Sequence, residues 1–235
     1  MYTFESRVRY SEIDESGALA LSSVINYMQD CSTFQSEEMG LGVEYLREHG
    51  QVWLLNSWQI QIERLPVLAE RITVGTWAYG FKGIYGYRNF ALYDSEKRYL
   101  VKANSIWVFY DWNKSRPARI TENIEQSYGR EPKLEMNYAE RKIAVPEGGV
   151  AEEPFPIRRH QIDTNGHVNN GQYIQMAQEY VPHVSEIRSL RAEYRKSAVY
   201  GNSIYPVVAS VEDGLVISLN DEEGKPYAVI AFSRK

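Results

Sequence analysis

The stretch His160–Tyr180, HQIDTNGHVNNGQYIQMAQEY, decides how the chain reads. A polar cluster, Asp163-Thr164-Asn165-Gly166-His167, runs straight into a segment with helical periodicity. The stretch also has a second copy. EIDESGALALSSVINYMQD (12–30) lies over QIDTNGHVNNGQYIQMAQE (161–179) without a gap. Ile13-Asp14 falls on Ile162-Asp163, Gly17 on Gly166, Gln29 on Gln178, and acidic Asp30 on Glu179. Farther on, 57–72 lies over 189–204. An internal repeat of this kind points to two copies of one structural unit.

Working outward, each copy is followed by strand-like runs. In the first, Tyr2, Phe4 and Val8 alternate over 2–10. Leu21, Val24, Ile25, Met28 and Cys31 predict a one-faced helix over 21–38, with Ser22 and Ser23 as caps. A shorter helix in GVEYLREHG ends at Gly50, and strands follow near 51–64, 70–80, 84–94 and 98–111. In the second copy the pattern predicts a short strand at 154–159 and a helix near 168–184. Strands then follow near 187–198, 203–212, 214–220 and 226–233. Between the copies, 113–153 is charged, broken by prolines and poor in apolar periodicity, the composition of a linker crossing the surface. The expected organisation is a first unit at 1–112, a linker at 113–153 and a second unit at 154–235. The class is α+β, each unit a long helix wrapped by an antiparallel sheet. MGLGVEYLREHGQVW, extra in the first copy, reads equally as a cover over an apolar groove or as packing that closes a sheet edge.

Composition narrows the function. The chain has 235 residues and a formal net charge of −5, which gives no global sign of nucleic-acid binding. Its 18 tyrosines suit half-buried strands. Cys31 is the one cysteine, so no disulfide framework or thiolate metal cluster is expected. His49, His160, His167 and His183 show no metal-ligand spacing, and no glycine-rich phosphate loop appears. Neither a metal nor a cofactor is expected. The N-terminus does not read as a signal peptide and no apolar run is long enough to span a membrane, so a cytoplasmic setting is the expectation.

The cluster has a chemical reading and a structural one. His167 has an ordinary pKa near neutrality and can move protons or polarise a carbonyl. Asp163 and Asn165 can fix its tautomer or position a water. The N–H groups opening a helix can hold an oxygen that gains charge. Against this, Asp and Asn are good turn and cap residues, and a histidine can be a satisfied donor. The first copy weighs between them. It has Ser16 in place of Asn165 and Ala18 in place of His167, so the fold itself does not require those two side chains.

DTNGHVNNGQYIQ resembles the signature of the acyl-acyl carrier protein thioesterases, D-x-N-x-H-V-N-N-x-x-Y. The resemblance covers nearly the whole chain. It implies two hot-dog units in tandem, with the chemistry in the second: hydrolysis of a fatty acyl thioester, with Asp163, Asn165 and His167 at the catalytic positions. Acyl carrier protein bearing a fatty acyl chain is the implied partner, with no nucleic acid and no membrane, and the chain as a monomer or a homodimer of tandem units. There is one departure. In EYRKSAVYGN, Ser197 stands where the family usually has glutamate, and Ala198 where some members have cysteine. Serine is no carboxylate base at neutral pH. Glu193, four residues earlier in the same predicted strand and on the same face as Ser197, and Glu179 on the helix are the candidate replacements. Ser197 has no G-x-S-x-G elbow around it.

Met28, Trp53 and Trp58 are candidates for contact with the acyl chain, each also a plausible core residue. Arg158, Arg159, Arg188, Arg191, Arg195 and Lys196 offer a basic surface to an acidic carrier, unless nearby glutamates pair them. The alternatives are an acyl-coenzyme A thioesterase or a non-catalytic acyl-binding hot-dog protein. Since the first copy has no imidazole at its turn, one active site per chain is expected.

Overall fold

Apolar spacing sets the first helix, α1 (Leu21–Glu38), where the sequence predicts it. The structure, a computed structural model, describes residues 1–234. Leu21, Val24, Ile25, Tyr27, Met28 and Cys31 are buried along one face of α1. The helix starts one residue earlier than the expected caps. Ala20 is the N-cap, extended in conformation and without a side-chain cap, and Ser22 and Ser23 lie inside the first turn.

The chain divides into two compact units: residues 1–56 and 62–138, and residues 57–61 and 139–235. In the first unit, β1 (Tyr2–Arg7), β2 (Gln51–Ile62), β3 (Arg71–Lys82), β4 (Tyr85–Tyr93) and β5 (Tyr99–Asp111) form a sheet in the order β1-β3-β4-β5-β2. The paired strands with a resolved register are antiparallel, for example Trp77 opposite Asn89 and Phe90 opposite Ala103. α1 packs against β3. The short α2 (Val43–Glu48) ends as expected, with Gly50 in the left-handed region at φ 64°. It packs Leu46 onto a cluster of Phe109, Ile120 and Ile124.

In the second unit, residues 57–61 of β2 pair with β9 (Ser189–Tyr194). The order then runs through β12 (Pro226–Ser233), β11 (Gly214–Asn220), β10 (Ser203–Val211) and β7 (Val150–Ala151). β8 (Phe155–Pro156) pairs with β10. The helix of this unit, α4 (Asn170–Gln178), has nine residues and stops well short of the expected 184. Val181 precedes Pro182, which disfavours helical backbone at 181 and removes the next donor. The last turn tightens instead, Tyr180 N–H donating to Ala177 O at 3.2 Å and Val181 N–H to Gln178 O at 2.9 Å.

Residues 113–153 do more than cross a surface. They include β6 (Arg116–Pro117), paired with β5, and α3 (Glu122–Tyr128), capped by Thr121. Ile120 and Ile124 pack on Phe109, and Leu134 on Trp77 and Ala91, in the first unit. Ile143 packs on Val216 and Val229 in the second. Polar anchors add to this. Asn89 Oδ1 accepts from Leu134 N–H and the Tyr138 hydroxyl, both at 3.0 Å, and Gln59 Oε1 accepts from Ala139 N–H at 2.9 Å. Among the described residues, no helix is long and apolar enough to cross a membrane.

Candidate active site

The repeat is visible bond by bond. A 3-10 turn precedes each copy of the motif, at Tyr10–Glu12 and Arg159–Gln161. Ile13 bridges Leu19, and Ile162 bridges Val168. Asp14 N–H donates to Ala18 O at 2.9 Å, and Asp163 N–H to His167 O at 2.7 Å. Gly17 and Gly166 share φ 78°, the left-handed conformation that glycine adopts without a Cβ penalty. Ala20 N–H reaches Glu12 O, and Asn169 N–H reaches Gln161 O, both at 2.9 Å.

Asp163 is the organiser of its turn. Its Oδ1 accepts from Asn165 N–H at 2.8 Å and from His167 N–H at 3.2 Å. Asp94 and Asp221 use the same pattern in two hairpins that lack the motif, each accepting N–H groups two and four residues on. There the bonded amides, with Arg98 beside Asp94 and Lys196 beside Asp221, hold the carboxyls below the usual range.

The copies part at the next position. Ser16 Oγ turns back onto Asp14 Oδ1 at 2.5 Å and lies 3.4 Å from Ala18 N–H. Asn165 is exposed, and its side-chain amide makes no hydrogen bond among the described residues. His167 is half-buried beside it.

Three residues that sequence reasoning left without a role fix this turn to the unit. Asn169 caps α4, its Oδ1 accepting from Gly171 N–H at 2.8 Å, so this N–H is not available to a ligand. Tyr173, the final residue of the signature, is buried and accepts from Ala198 N–H at 3.1 Å. Val168 N–H donates to Ala198 O at 2.9 Å, which holds exposed Ser197 in the segment alongside the motif. Tyr194 donates to Asn170 O at 3.0 Å. Burial raises the Tyr173 phenol above its ordinary range, and the Asp163 charge adds to the shift. Tyr173 is therefore neutral and structural at physiological pH.

The two candidate carboxylates lie elsewhere. Glu193 is buried, with 5% exposure, and its Oε2 accepts from Ile143 N–H at 3.0 Å and Arg195 Nη2 at 2.8 Å. β9 ends at Tyr194, so strand alternation does not carry Glu193 and Ser197 onto one face. Glu179 is the C-cap of α4, opposite the end that carries the motif, on the order of 14 Å along the helix axis at 1.5 Å per residue. Met28 is fully enclosed in the first unit, Trp58 is buried in the second, and Trp53 is half-buried with its ring 4.7 Å from Phe109. Among the described residues, no group of three or more His, Cys, Asp or Glu side chains is placed to hold a metal.

Of the basic side chains, Arg195 pairs with Glu193 and Lys196 with Asp221. Arg188 and Arg191 donate to backbone carbonyls, which leaves their charge uncancelled. Arg159 lies over the Tyr200 ring, 4.5 Å from its centroid.

Residues 1–128 match the acyl-ACP thioesterase N-terminal domain, and residues 146–228 the acyl-ACP thioesterase C-terminal domain. The chain belongs to the acyl-ACP thioesterase family. A chloroplastic acyl-[acyl-carrier-protein] hydrolase of Cuphea viscosissima is 23% identical over 253 residues, covering 93% of this chain and 61% of the relative. A chloroplastic oleoyl-acyl carrier protein thioesterase of Arabidopsis thaliana is 22% identical over 232 residues, covering 90% and 63%. The chain thus spans less than two thirds of the length of these curated relatives. An acyl-ACP thioesterase from Bacteroides thetaiotaomicron aligns with a TM-score of 0.88 at 21% identity, over 98% of this chain and 96% of the other. A 12:0-ACP thioesterase from Umbellularia californica aligns at 0.84 and 18% identity, over 98% and 96%. These likenesses give the fold, the tandem α+β hot-dog of the acyl-ACP thioesterases.

Proposed function

We propose that the chain hydrolyses fatty acyl thioesters on acyl carrier protein and releases free fatty acid, with Asn165 and His167 as the reacting groups. The observation that carries this reading is the pair of turns. The two backbones are bonded alike, yet the first copy folds Ser16 back onto Asp14 and has Ala18, while the second displays an exposed amide beside an imidazole. Membership of the acyl-ACP thioesterase family supports the substrate class.

In this mechanism the Asn165 amide donates to the thioester carbonyl oxygen, whose negative charge grows as the carbon becomes tetrahedral. His167 takes a proton from a water as the water oxygen bonds to the carbonyl carbon. The carbon–sulfur bond then breaks, the imidazolium returns the proton to the departing sulfur, and a carboxylic acid and a thiol result. Asp163 acts by shaping the turn. Ser197 can hydrogen-bond the water but takes no proton at neutral pH. The ion pair that occupies Glu193 and the place of Glu179 at the far end of α4 support His167 as the general base in this reading.

An acidic carrier fits the guanidinium groups of Arg158, Arg159, Arg188 and Arg191, which have no carboxylate partner among the described residues. Ser197 at the glutamate position is the one observation that favours a slower, acyl-binding role. Turnover of acyl carrier protein and coenzyme A thioesters over a range of chain lengths separates the readings. Higher kcat/KM on the carrier protein supports the proposal, and preference for coenzyme A supports the smaller carrier. Binding without turnover supports the non-catalytic reading.

A further inference from the structure

The likeness of the two units extends beyond the turn, to the segments that follow β2 and β9. Glu63 N–H and Arg64 N–H both donate to Leu100 O, at 3.0 and 3.3 Å, as Arg195 N–H and Lys196 N–H both donate to Tyr227 O, at 2.8 and 3.2 Å. Leu19 N–H reaches Pro66 O at 2.8 Å, as Val168 N–H reaches Ala198 O at 2.9 Å. These bonds set 62–66 over 194–198 residue for residue. Against that match, two hydroxyls stand in the second unit where the first has none. Tyr173, on α4, accepts from Ala198 N–H at 3.1 Å. Its counterpart is Val24, and that of Ala198 is Pro66, which has no N–H to give. Tyr194, the last residue of β9, donates to Asn170 O at 3.0 Å, and its counterpart is Ile62, the last residue of β2. The two phenol rings lie side by side, their centroids 5.8 Å apart. The first unit closes the same backbone on buried Val24 and Ile62, so the fold requires neither hydroxyl.

We propose that Tyr173 and Tyr194 are positioning residues for thioester hydrolysis, their hydroxyls fixing the gap between the turn that presents Asn165 and His167 and the segment that presents Ser197. The inference rests on the reading of Asn165 and His167 as the reacting groups. Tyr194 ties the end of β9 to the first carbonyl of α4, one residue past the cap Asn169. Tyr173 ties the same helix to Ala198, the neighbour of Ser197. Both hydroxyls are bonded to backbone, so they act through the geometry of the two segments and not on the thioester. A reacting group displaced by about 1 Å loses up to about 10²-fold in rate, which is the reason to brace the catalytic copy more tightly than its partner.

The test measures kcat, KM and Tm with acyl-acyl carrier protein for the full chain, for Tyr194→Phe, for His167→Ala and for the two combined. Tyr194→Phe keeps the ring and removes only the hydroxyl. Its kcat is expected to fall about tenfold, with KM within about twofold and Tm within a few degrees of the parent. In the His167→Ala chain the same substitution is expected to remove nothing further, because the group it positions is gone. Tyr173→Phe strands the buried Ala198 N–H and is expected to lower Tm and kcat together. Adding Ala198→Pro removes that donor, as Pro66 does in the first unit, and is expected to restore Tm while kcat stays low. Unchanged kcat in Tyr194→Phe, an equal loss with and without His167, or a kcat that returns with Tm when Ala198→Pro is added would overturn the inference and leave His167 in its role. A parent chain without turnover would remove both.

Discussion

Glu193 and Arg195 hold the two ends of one residue: Glu193 Oε2 accepts from Ile143 N–H at 3.0 Å, and Arg195 Nη2 donates to Ile143 O at 2.8 Å. The two side chains also pair with each other at 2.8 Å, and Ile143 is buried on Val216 and Val229. Glu193 is therefore a clamp on the 139–153 segment. Glu193→Gln keeps an acceptor for Ile143 but removes the charge, and is expected to cost about 1–3 kcal/mol of stability. Turnover of the folded variant is expected to stay within a few-fold of the parent. Unchanged Tm with activity lost to the level of His167→Ala would restore Glu193 as the base.

The contrast between Asn165 and Ser16 gives a second prediction. Asn165→Ser rebuilds the first copy's turn in the second, where the hydroxyl can fold back onto Asp163 as Ser16 does onto Asp14. Tm is expected to hold, while kcat/KM falls by about 10²-fold, the scale of a lost oxyanion donor. A drop in Tm with parallel loss of activity would make Asn165 a structural residue.

Asp163 differs from both, because its turn pattern needs an acceptor oxygen and not a charge. Asp163→Asn is expected to retain most activity. Asp163→Ala is expected to lower stability by about 1 kcal/mol, the scale of a lost cap, and to lose activity with the turn. Asp14→Ala should cost similar stability with turnover intact. If Asp163→Asn is as inactive as Asp163→Ala, the carboxylate charge itself takes part.

Burial raises the Cys31 thiol from 9.0 to about 12. The folded state therefore holds this proton more tightly than the unfolded chain. Its stabilising effect is fully present below pH 9.0 and is lost as pH rises from there towards about 12. Unfolding free energy is expected to fall with pH in that window, less steeply in Cys31→Ala. An identical slope in the two proteins would show that the thiol ionises freely in the fold.

Much of the fold was legible because the signals were dense. Eighteen residues of one-faced periodicity located α1 at both ends, and the alternating runs located the hairpin strands within a few residues. The end of α4 was misjudged because apolar spacing persists past Val181-Pro182, where the backbone cannot continue a helix. Ile120, Ile124, Leu134 and Ile143 are spaced too irregularly to show a face, so their burial was invisible. Glu193 was aligned with Ser197 by alternation that the backbone abandons after Tyr194. At the site, comparing the two copies singled out Asn165 and His167. The role of Tyr173 was not legible, because it depends on Ala198 being folded back beside Val168.

The most direct measurement of the central claim is release of free fatty acid from acyl-acyl carrier protein by the parent chain and by His167→Ala, at equal concentrations of folded protein. Turnover by the parent is expected, with a loss of about 10²-fold or more in the variant and Tm unchanged because Ala18 occupies the same turn in the first copy. Full activity in His167→Ala, or no release by the parent at any chain length, would contradict it.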